Sequence, residues 1–449
     1  MVSAVEQMAK NANWGAFSKA TELKQRIMFV LGALLVYRLG TYIPVPGIDP
    51  HIWNEIYSQK GGGILDMFNM FSGGALQRMT IFALNIMPYI SASIIMQLAA
   101  AMSPKLEALK KEGEHGRMKI NQYTRFLTVL LASVQAYGLA VGLENMQGAA
   151  GPAVIDPGIF FRASTVITIV GGTVFLMWLG EQITQRGIGN GISLIIFAGI
   201  VAELPRAIGA TLELGRQGQF NFLTLVFLVA MICGVIAFIV FMERAQRRVV
   251  VQYPKRQAGA QAMAQQNHIP LKLNTAGVIP PIFASSLLLL PLTLVGFSGG
   301  EGGDWTAKIA QFLQHGQPAY MMLYGGLIIF FAFFYTAIVF NPQENAEMLR
   351  KYGGFIPGIR PGKNTADYLD YVLTRITAIG AVYLVFICLL PEFMISRYSI
   401  PFYFGGTSLL IVVSVTMDTV AQVHSHLIAH QYEGLIKKAK LKGTGRRIR

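Results

Sequence analysis

Residues Phe222–Met242 read FLTLVFLVAMICGVIAFIVFM, a run that contains no charged side chain and decides the class of fold. A helix rises about 1.5 Å per residue, so a run of this length reaches across the roughly 30 Å hydrocarbon core of a bilayer. The whole chain is 53% hydrophobic and 13% charged, whereas soluble domains carry about 25% charged residues. Its mean hydropathy is +0.47. These values predict an integral membrane protein with helical spans.

Ten segments of this kind predict an all-α polytopic membrane protein with about ten transmembrane helices. Ten spans divide into two five-helix halves, and paired halves often place a pathway at their interface. We therefore expect two pseudo-symmetric halves around a central pathway, although the halves share no obvious sequence repeat. The predicted spans are Ile27–Ile43, Leu76–Met102, Phe126–Leu143, Ala163–Leu179, Ile188–Leu204, Phe222–Met242, Asn274–Phe297, Tyr320–Phe340, Ile376–Leu390 and Ser408–Val423.

The Lys and Arg residues are distributed unequally between the two sides of the predicted membrane. If the N-terminus is cytoplasmic, 29 of the 37 basic residues fall in cytoplasmic segments and eight fall on the other side. Cytoplasmic segments of membrane proteins carry an excess of Lys and Arg, so both termini are predicted to be cytoplasmic. The net charge of +14 is then mainly a topology signal, with anionic lipid and ribosomal RNA as secondary partners.

The spans and their orientation define the expected domain organisation. Two cytoplasmic loops are long and basic, which is typical of a channel that holds a large cytoplasmic partner. Solvated loops that only enforce the topology are the alternative. The expected parts are the N-tail 1–26, the N-terminal half 27–204 with an insert at 61–74, an external loop 205–221, the C-terminal half 222–423 with cytoplasmic loops 243–273 and 341–375, and a basic C-tail 424–449.

The segment Ile64–Ser72 (ILDMFNMFS) is too short to cross a bilayer and lies between the glycines 61–63 and 73–74. Glycine permits sharp turns, so the segment can fold back on its neighbours. Its apolar side chains are unfavourable in water, and one interpretation is a half-helix folded into a cavity. The other interpretation is a loop helix packed on the outer ends of the bundle.

Eight sequence blocks follow one another along the chain. They are IPVPGID (Ile43–Asp49), DMFNMFSGGAL (Asp66–Leu76), FALNIMPYISASIIMQL (Phe82–Leu98), KKEGEHGR (Lys110–Arg117), LGEQITQRGIGNGIS (Leu179–Ser193), NTAGVIPPIFASS (Asn274–Ser286), FIPGIRPG (Phe355–Gly362) and PFYFGGTSLLIVV (Pro401–Val413). In this order they resemble the SecY family of bacterial protein-translocase channel subunits, over about residues 20–443.

The resemblance implies an hourglass-shaped pore in the bacterial inner membrane. Such a channel passively moves unfolded secretory polypeptides across the membrane and releases transmembrane segments sideways through a lateral gate. The number of spans alone leaves an ion-coupled secondary transporter of a small solute as the alternative. A transporter of that kind needs ionisable residues at mid-membrane, and the predicted spans carry almost none at their centres.

The resemblance also implies roles for three sets of residues: an apolar ring that narrows the pore, a plug that closes its outer side, and polar residues along the lateral gate. An apolar constriction excludes water and thereby blocks ions. Without the resemblance, lipid-facing isoleucines and ordinary helix packing are the simpler interpretation. The ring is implied at Ile86, Ile90, Ile192, Ile196, Ile282 and Ile411, the plug at Ile64, Leu65, Met67, Phe68, Asn69, Met70 and Phe71, and the gate at Ser91, Gln97, Gln135 and Asn274.

The partners implied by the resemblance are the membrane subunits SecE and SecG, the motor ATPase SecA, the ribosome, signal peptides and unfolded polypeptide. Arg360 is implied as a motor or ribosome contact, and a guanidinium group suits both carboxylate and phosphate. In the first loop Ala260 and Gln261 replace the paired arginines of the family. Contacts there are expected to depend on Arg247, Arg248, Lys255 and Arg256.

Asn85 is a second departure, because the family often has glycine at this position beside the ring.

No catalytic residue, cofactor or metal is predicted, and the chain is not expected to be an enzyme. The glycines of Gly187–Gly191 lack the flanking strand and the Lys of a nucleotide-binding loop. His424, His426 and His430 are too few ligands for a metal site.

Overall fold

The computed structural model describes residues 21–60, 69–144, 147–148, 151–217, 222–253, 267–297, 317–398 and 406–444. Helices dominate these ranges, and two small antiparallel sheets accompany them. The helices are α1 (Thr21–Gly40), α2 (Pro50–Lys60), α3 (Met87–Met102), α4 (Pro104–Lys111), α5 (Glu114–Glu144), α6 (Ile159–Arg186), α7 (Gly191–Arg216), α8 (Phe222–Arg244), α9 (Ile279–Phe297), α10 (Pro318–Val339), α11 (Pro342–Lys351), α12 (Lys363–Tyr398) and α13 (Gly406–Thr444). The strands are β1 (Gln147–Gly148) with β2 (Gly151–Pro152), and β3 (Gln246–Val251) with β4 (Asn267–Lys272).

Each predicted span overlaps one of these helices. Seven helices in the described ranges are long and apolar enough to cross a membrane, and α3 and the first part of α9 are shorter apolar helices. α1 is 20 residues long and carries basic residues near both ends. Only 11% of the apolar window of α8 is buried inside the protein, so this helix presents apolar side chains outward, as a lipid-facing span does.

The predicted span Leu76–Met102 is wrong over residues 76–86, which form turns before α3. The backbone N–H of Val45 donates to the carbonyl of Met79, and that of Ile81 donates to the carbonyl of Ile43. This pairing holds the segment against residues 43–45 instead of in a helix. α3 then begins at Met87 with a proline in its first turn, where the missing N–H costs no helical hydrogen bond.

Three predicted loops contain regular structure. Within the expected external loop 205–221, α7 continues to Arg216 with Pro205 inside the helix. The loop 243–273 contains the β3–β4 hairpin, and the loop 341–375 contains α11 and the start of α12. The expected tail 424–449 begins as a continuation of α13 to Thr444. Hydropathy identifies the apolar spans, but it does not identify the polar helices and hairpins that lie at the ends of the spans.

The two expected halves meet along two lines of contact. α9 contacts both α3 and α5, and α13 contacts α7 and α1. Within the halves, α5 packs on α6, α9 packs on α10, and α10 packs on α12. A single large apolar cluster runs through α1, α3, α7, α9, α10, α12 and α13. The candidate residues of the predicted pore belong to this cluster or pack against it.

Two ion pairs join the antiparallel helices α5 and α6 at opposite ends. At one end Arg125 donates to both carboxylate oxygens of Glu181, at 3.0 and 2.6 Å. At the other end Arg162 donates twice to Oε2 of Glu144, at 2.8 and 2.6 Å. Glu144 also accepts from the backbone N–H of Gly158, which lies just before α6. Paired guanidinium–carboxylate contacts of this kind fix geometry as well as contributing stability.

The two predicted cytoplasmic loops share a small core of their own. Its buried side chains are Val249, Val251, Leu271, Leu349, Ile356, Leu369 and Ile376. The backbones of Gln252 and Phe355 exchange two hydrogen bonds of 2.9 Å, which tie the hairpin to the loop before α12. The two loops therefore form one structured unit.

Candidate functional site

The six isoleucines of the predicted ring lie in one apolar cluster. Four are buried, and Ile192 and Ile282 are partly buried against the cluster. Phe71 of the predicted plug belongs to the same cluster. The ring residues lie at or near the beginnings of four helices. Ile86 and Ile90 lie at the start of α3. The others are Ile192 and Ile196 in α7, Ile282 in α9 and Ile411 in α13.

Asn85 immediately precedes Ile86 and has an unusual backbone conformation. Its φ angle is 49°, in the left-handed region that few residues other than glycine adopt. Asparagine tolerates this region better than most side chains. The conformation explains why this position suits either glycine or asparagine, and it turns the Asn85 side chain into the interior, where the residue is 2% exposed.

Of the predicted plug, Ile64, Leu65, Met67 and Phe68 lie outside the described residues, whereas Asn69, Met70 and Phe71 are described. The described end of the plug makes contacts in both halves of the chain. Oγ of Ser408, in α13, donates to Sδ of Met70 at 3.2 Å. Sulfur is a weak acceptor, so this bond is weaker than one to oxygen. Oδ1 of Asn69 accepts from the backbone N–H of Gln77 at 2.8 Å.

The helical end of the plug closes in a Schellman motif. Residues 69–71 are helical, the N–H of Gly74 donates to the carbonyl of Asn69 at 2.9 Å, and the N–H of Gly73 donates to that of Met70 at 3.2 Å. The φ angles of the two glycines are 66° and 81°. Glycine adopts this left-handed conformation without steric cost, and the motif requires it at Gly73, the position after the cap residue Ser72.

The motif leaves the carbonyls of Phe71 and Ser72 without a partner inside the plug segment. Two side chains from elsewhere supply the missing donors. Nδ2 of Asn85 donates to the Phe71 carbonyl at 2.6 Å, and Oη of Tyr37, in α1, donates to the Ser72 carbonyl at 3.2 Å. Both donors are buried. A buried carbonyl without a donor costs about 1–3 kcal/mol, so these contacts stabilise the plug end where it lies. We call these two hydrogen bonds the plug anchor.

α7 approaches the plug end at backbone distance because position 199 is glycine. A Cβ atom on Gly199 would lie 2.7 Å from the carbonyl oxygen of Phe71 and 3.0 Å from Oη of Tyr37. Conversely, a Cβ on Gly73 would lie 3.0 Å from Cα of Gly199. The plug end thus fits into a space that only glycine leaves free.

The predicted gate residues lie on elements that are in contact. Ser91 and Gln97 belong to α3 and Gln135 to α5, and Asn274 precedes α9, which packs on both helices. Ser91, Gln135 and Asn274 are buried. The amide oxygens of Gln97 and Gln135 are also buried, and neither has a hydrogen-bond partner among the described residues.

The hydrogen bonds that Gln97 and Asn274 make do not join α3, α5 and α9 to one another. Nε2 of Gln97 donates to Oγ of Ser93 on the same helix at 3.2 Å. Nδ2 of Asn274 donates at 2.6 Å to Oε1 of Glu243, at the end of α8, and at 3.1 Å to the carbonyl of Gly277. Asn274 is therefore connected to α8 instead of to α3 or α5.

The predicted motor or ribosome contacts that the structure describes are exposed on the unit formed by the two loops. Arg247 and Arg248 lie on β3 with exposed side chains. Arg360 is exposed in the loop before α12, and its carbonyl accepts from Oγ1 of Thr365 at 3.1 Å, which fixes the turn. Lys255 and Arg256, and the departures Ala260 and Gln261, lie outside the described residues.

Sequence reasoning missed three members of the site: Tyr37, Gly199 and Glu243. Tyr37 donates to the carbonyl of Ser72, 35 positions further along the chain, and no local sequence pattern predicts such a contact. Gly199 lies within an ordinary apolar run. Asn85 did stand out as an expected departure, and its side chain donates a hydrogen bond to the Phe71 carbonyl.

Comparisons with known proteins agree with this geometry. A family model described as SecY matches residues 80–420. The chain is 58% identical over 427 residues to protein translocase subunit SecY of Escherichia coli K12, covering 95% of this chain and 96% of the relative.

Two solved structures share the fold at low sequence identity. One is a SecY protein whose plug domain is described as stabilising the closed state of the translocation channel and maintaining a membrane seal. It has a TM-score of 0.64 and 19% identity, over 90% of this chain and 92% of that one. The other is Sec61 in a canine ribosome-channel complex from the endoplasmic reticulum, with a TM-score of 0.61 and 18% identity over the same shares. With a matching family model and a relative of high identity over nearly its whole length, the chain belongs to the SecY family.

Proposed function

We propose that the chain is the central pore-forming subunit of a Sec protein translocase. It is a passive channel for unfolded secretory polypeptides, driven by SecA or the ribosome, and it releases transmembrane segments sideways into lipid. The observation that carries the proposal is the single apolar cluster that contains all six ring isoleucines together with Phe71 of the plug. A channel subunit of this family is not an enzyme. Membership of the family also argues against the alternative, an ion-coupled transporter of a small solute.

The apolar ring suits a channel that must pass many sequences yet leak no ions. Branched aliphatic side chains form no hydrogen bonds, so they can deform around any passing residue without preferring one. When no polypeptide is present, a narrow apolar constriction excludes water and blocks ions. Phe71 extends the apolar cluster toward the plug, which supports a role of the plug in closing the same constriction.

The contacts of α9 with α3 and α5 support a lateral gate along this line. Helix association in lipid relies on packing and on a few hydrogen bonds of about 0.6–2 kcal/mol each. Gln97 and Gln135 have buried amide oxygens with no partner in the described part of the chain. Two unsatisfied acceptors make the closed line of contact less stable, which favours its separation when a signal peptide inserts there.

The proposed partners follow from the surfaces that the chain exposes. The apolar faces of α1 and α8 suit lipid and the membrane helices of SecE and SecG. Side chains such as Leu31 and Phe241 project outward from them. The exposed Arg247, Arg248 and Arg360 suit the acidic groups of SecA and the phosphates of ribosomal RNA. The structurally similar Sec61 is bound to a ribosome, which supports the second partner.

The chain is a multi-pass membrane protein, and we place it in the bacterial inner membrane with both termini cytoplasmic. The excess of basic residues on one side supports this orientation. The loops 243–273 and 341–375, which share one core, then lie on the cytoplasmic side, where a motor or ribosome would bind them.

The experiment that tests the polypeptide path places a photo-crosslinker at Ile86 or Ile282 and arrests a secretory chain midway through export. Crosslinks at both positions are expected, because both belong to the proposed constriction. Phe227 is the matched control, since it is an apolar residue of α8 with 65% exposure and faces lipid in the proposal. If neither ring position crosslinks while export continues, the ring is ordinary core and the pore assignment fails.

A further inference from the structure

Phe71 and Ser72 end the plug with two carbonyl groups that its own helix cap cannot satisfy. The Schellman motif uses the N–H groups of Gly73 and Gly74 on the carbonyls of Asn69 and Met70. Any position of the plug end that is buried must therefore find two donors outside the segment, whereas a hydrated position finds them in water. The buried position is thus favoured only where two donors stand ready.

We propose that Asn85 and Tyr37 are positioning residues that set how firmly the closed channel holds its plug, through the two hydrogen bonds of the plug anchor. The proposal rests on the proposed function, because it assumes that the plug end leaves this place when a polypeptide passes. Asn85 holds the Phe71 carbonyl at 2.6 Å and Tyr37 holds the Ser72 carbonyl at 3.2 Å. The two donors come from separate elements, so the plug end is fixed at two points.

The position of Asn85 couples the plug to the ring. Asn85 directly precedes Ile86 and holds a left-handed backbone conformation that aims its side chain at Phe71. A movement of the first turn of α3 therefore moves the donor away from the Phe71 carbonyl. Widening the ring and releasing the plug are then two consequences of one displacement.

The plug anchor is of limited strength because only one of the two polar atoms of the Asn85 amide has a hydrogen-bond partner among the described residues. Its Oδ1 is buried without a hydrogen-bond partner among the described residues, while its Nδ2 makes the short bond to Phe71. An unsatisfied buried acceptor opposes burial of the same side chain. The anchor thus keeps the plug end in place with a modest free energy, which an entering polypeptide can overcome.

The test uses two variants that remove one donor each. Tyr37→Phe lacks the hydroxyl, and Asn85→Gly lacks the amide while fitting the left-handed backbone at this position. Ser133→Ala is the control, because it removes one side-chain hydrogen bond that lies within α5, to the Val129 carbonyl. The full chain is purified with its membrane partners into vesicles, and chloride efflux is measured without substrate.

We expect each anchor variant to raise resting chloride efflux at least about fivefold, because each leaves a buried carbonyl without its donor, at a cost of about 1–3 kcal/mol. Ser133→Ala is expected to leave efflux unchanged. A purely structural defect would lower export, whereas a weaker anchor increases the export of a secretory protein whose signal peptide has a shortened apolar core. Both readouts are normalised to the amount of inserted complex.

Efflux within twofold of the parent in both variants, or an increase in only one of them, overturns the two-point anchor. Asn85→Ala, which also lacks the amide, replaces Asn85→Gly if the latter does not insert, and the same limits apply to it. The crosslinking at Ile86 and Ile282 separates this proposal from the proposed function. Crosslinks without a change in efflux overturn the anchor alone, and a change in efflux without crosslinks overturns the polypeptide path.

Discussion

Replacing Gly199 by alanine is expected to displace the plug end and weaken the resting seal. The new Cβ would lie 2.7 Å from the Phe71 carbonyl oxygen. Carbon–oxygen contacts in proteins are ordinarily about 3.3 Å or longer, so one of the two backbones must move by about 0.6 Å. Overpacking of this kind costs about 1–3 kcal/mol. If the strain falls on the closed state alone, the open population rises about 5- to 150-fold.

Gly209 provides a matched control on the same helix. A Cβ atom there would meet nothing within 4 Å. Gly209→Ala should therefore keep the resting seal and, because alanine favours a helix over glycine by about 0.5–1 kcal/mol, raise the thermal midpoint slightly. Both variants are reconstituted with their membrane partners, and chloride efflux and thermal unfolding are measured on the same preparations. A Gly199→Ala channel that seals as tightly as the parent would refute the reasoning, and so would equal leaks in the two variants.

Two further predictions concern the ion pair at one end of α5 and the surface that is proposed to face the cytoplasm. Glu144→Ala should lower the thermal midpoint of the complex because it leaves the Arg162 guanidinium without its carboxylate, whereas Glu107→Ala, at an exposed pair on α4, should not change it. Equal midpoints in the two variants would contradict the importance of the α5–α6 pair. Arg360→Ala should reduce SecA- or ribosome-driven transport about tenfold without altering resting efflux, while Lys351→Ala on α11 should leave both unchanged. Normal transport by Arg360→Ala would exclude this side chain as a partner contact.

The spans were predictable because lipid imposes a length and an apolar composition on every crossing helix. The segment 76–86 misled the same reasoning. It is apolar because it is buried in the bundle, and its backbone pairs with residues 43–45 instead of forming a helix. Burial in protein and burial in lipid select the same residue types, so composition alone does not separate them.

The candidate site was predictable only where a family resemblance marked it. All six ring isoleucines, predicted by resemblance, do fall in one cluster. The donors that bind the plug end, Tyr37 and Asn85, could not be predicted from the sequence in this way. Whether the Ser72 carbonyl meets Tyr37 depends on how α1 packs, and whether Gly199 admits the plug depends on the path of α7. These are properties of tertiary packing that no local spacing encodes.

The two ion pairs that join α5 and α6 have a mechanical consequence. Arg125 and Glu144 are 19 positions apart on α5, so the pairs are separated by roughly 28 Å along the helix axis. A slide of one helix by a full turn, about 5.4 Å, would break both contacts at once, and a twist would break at least one. The helices α5 and α6 should therefore move together as one rigid unit. A displacement of α6 near Glu181, at one end of the two helices, should therefore be accompanied by a displacement of α5 and of Gly158 at the other end.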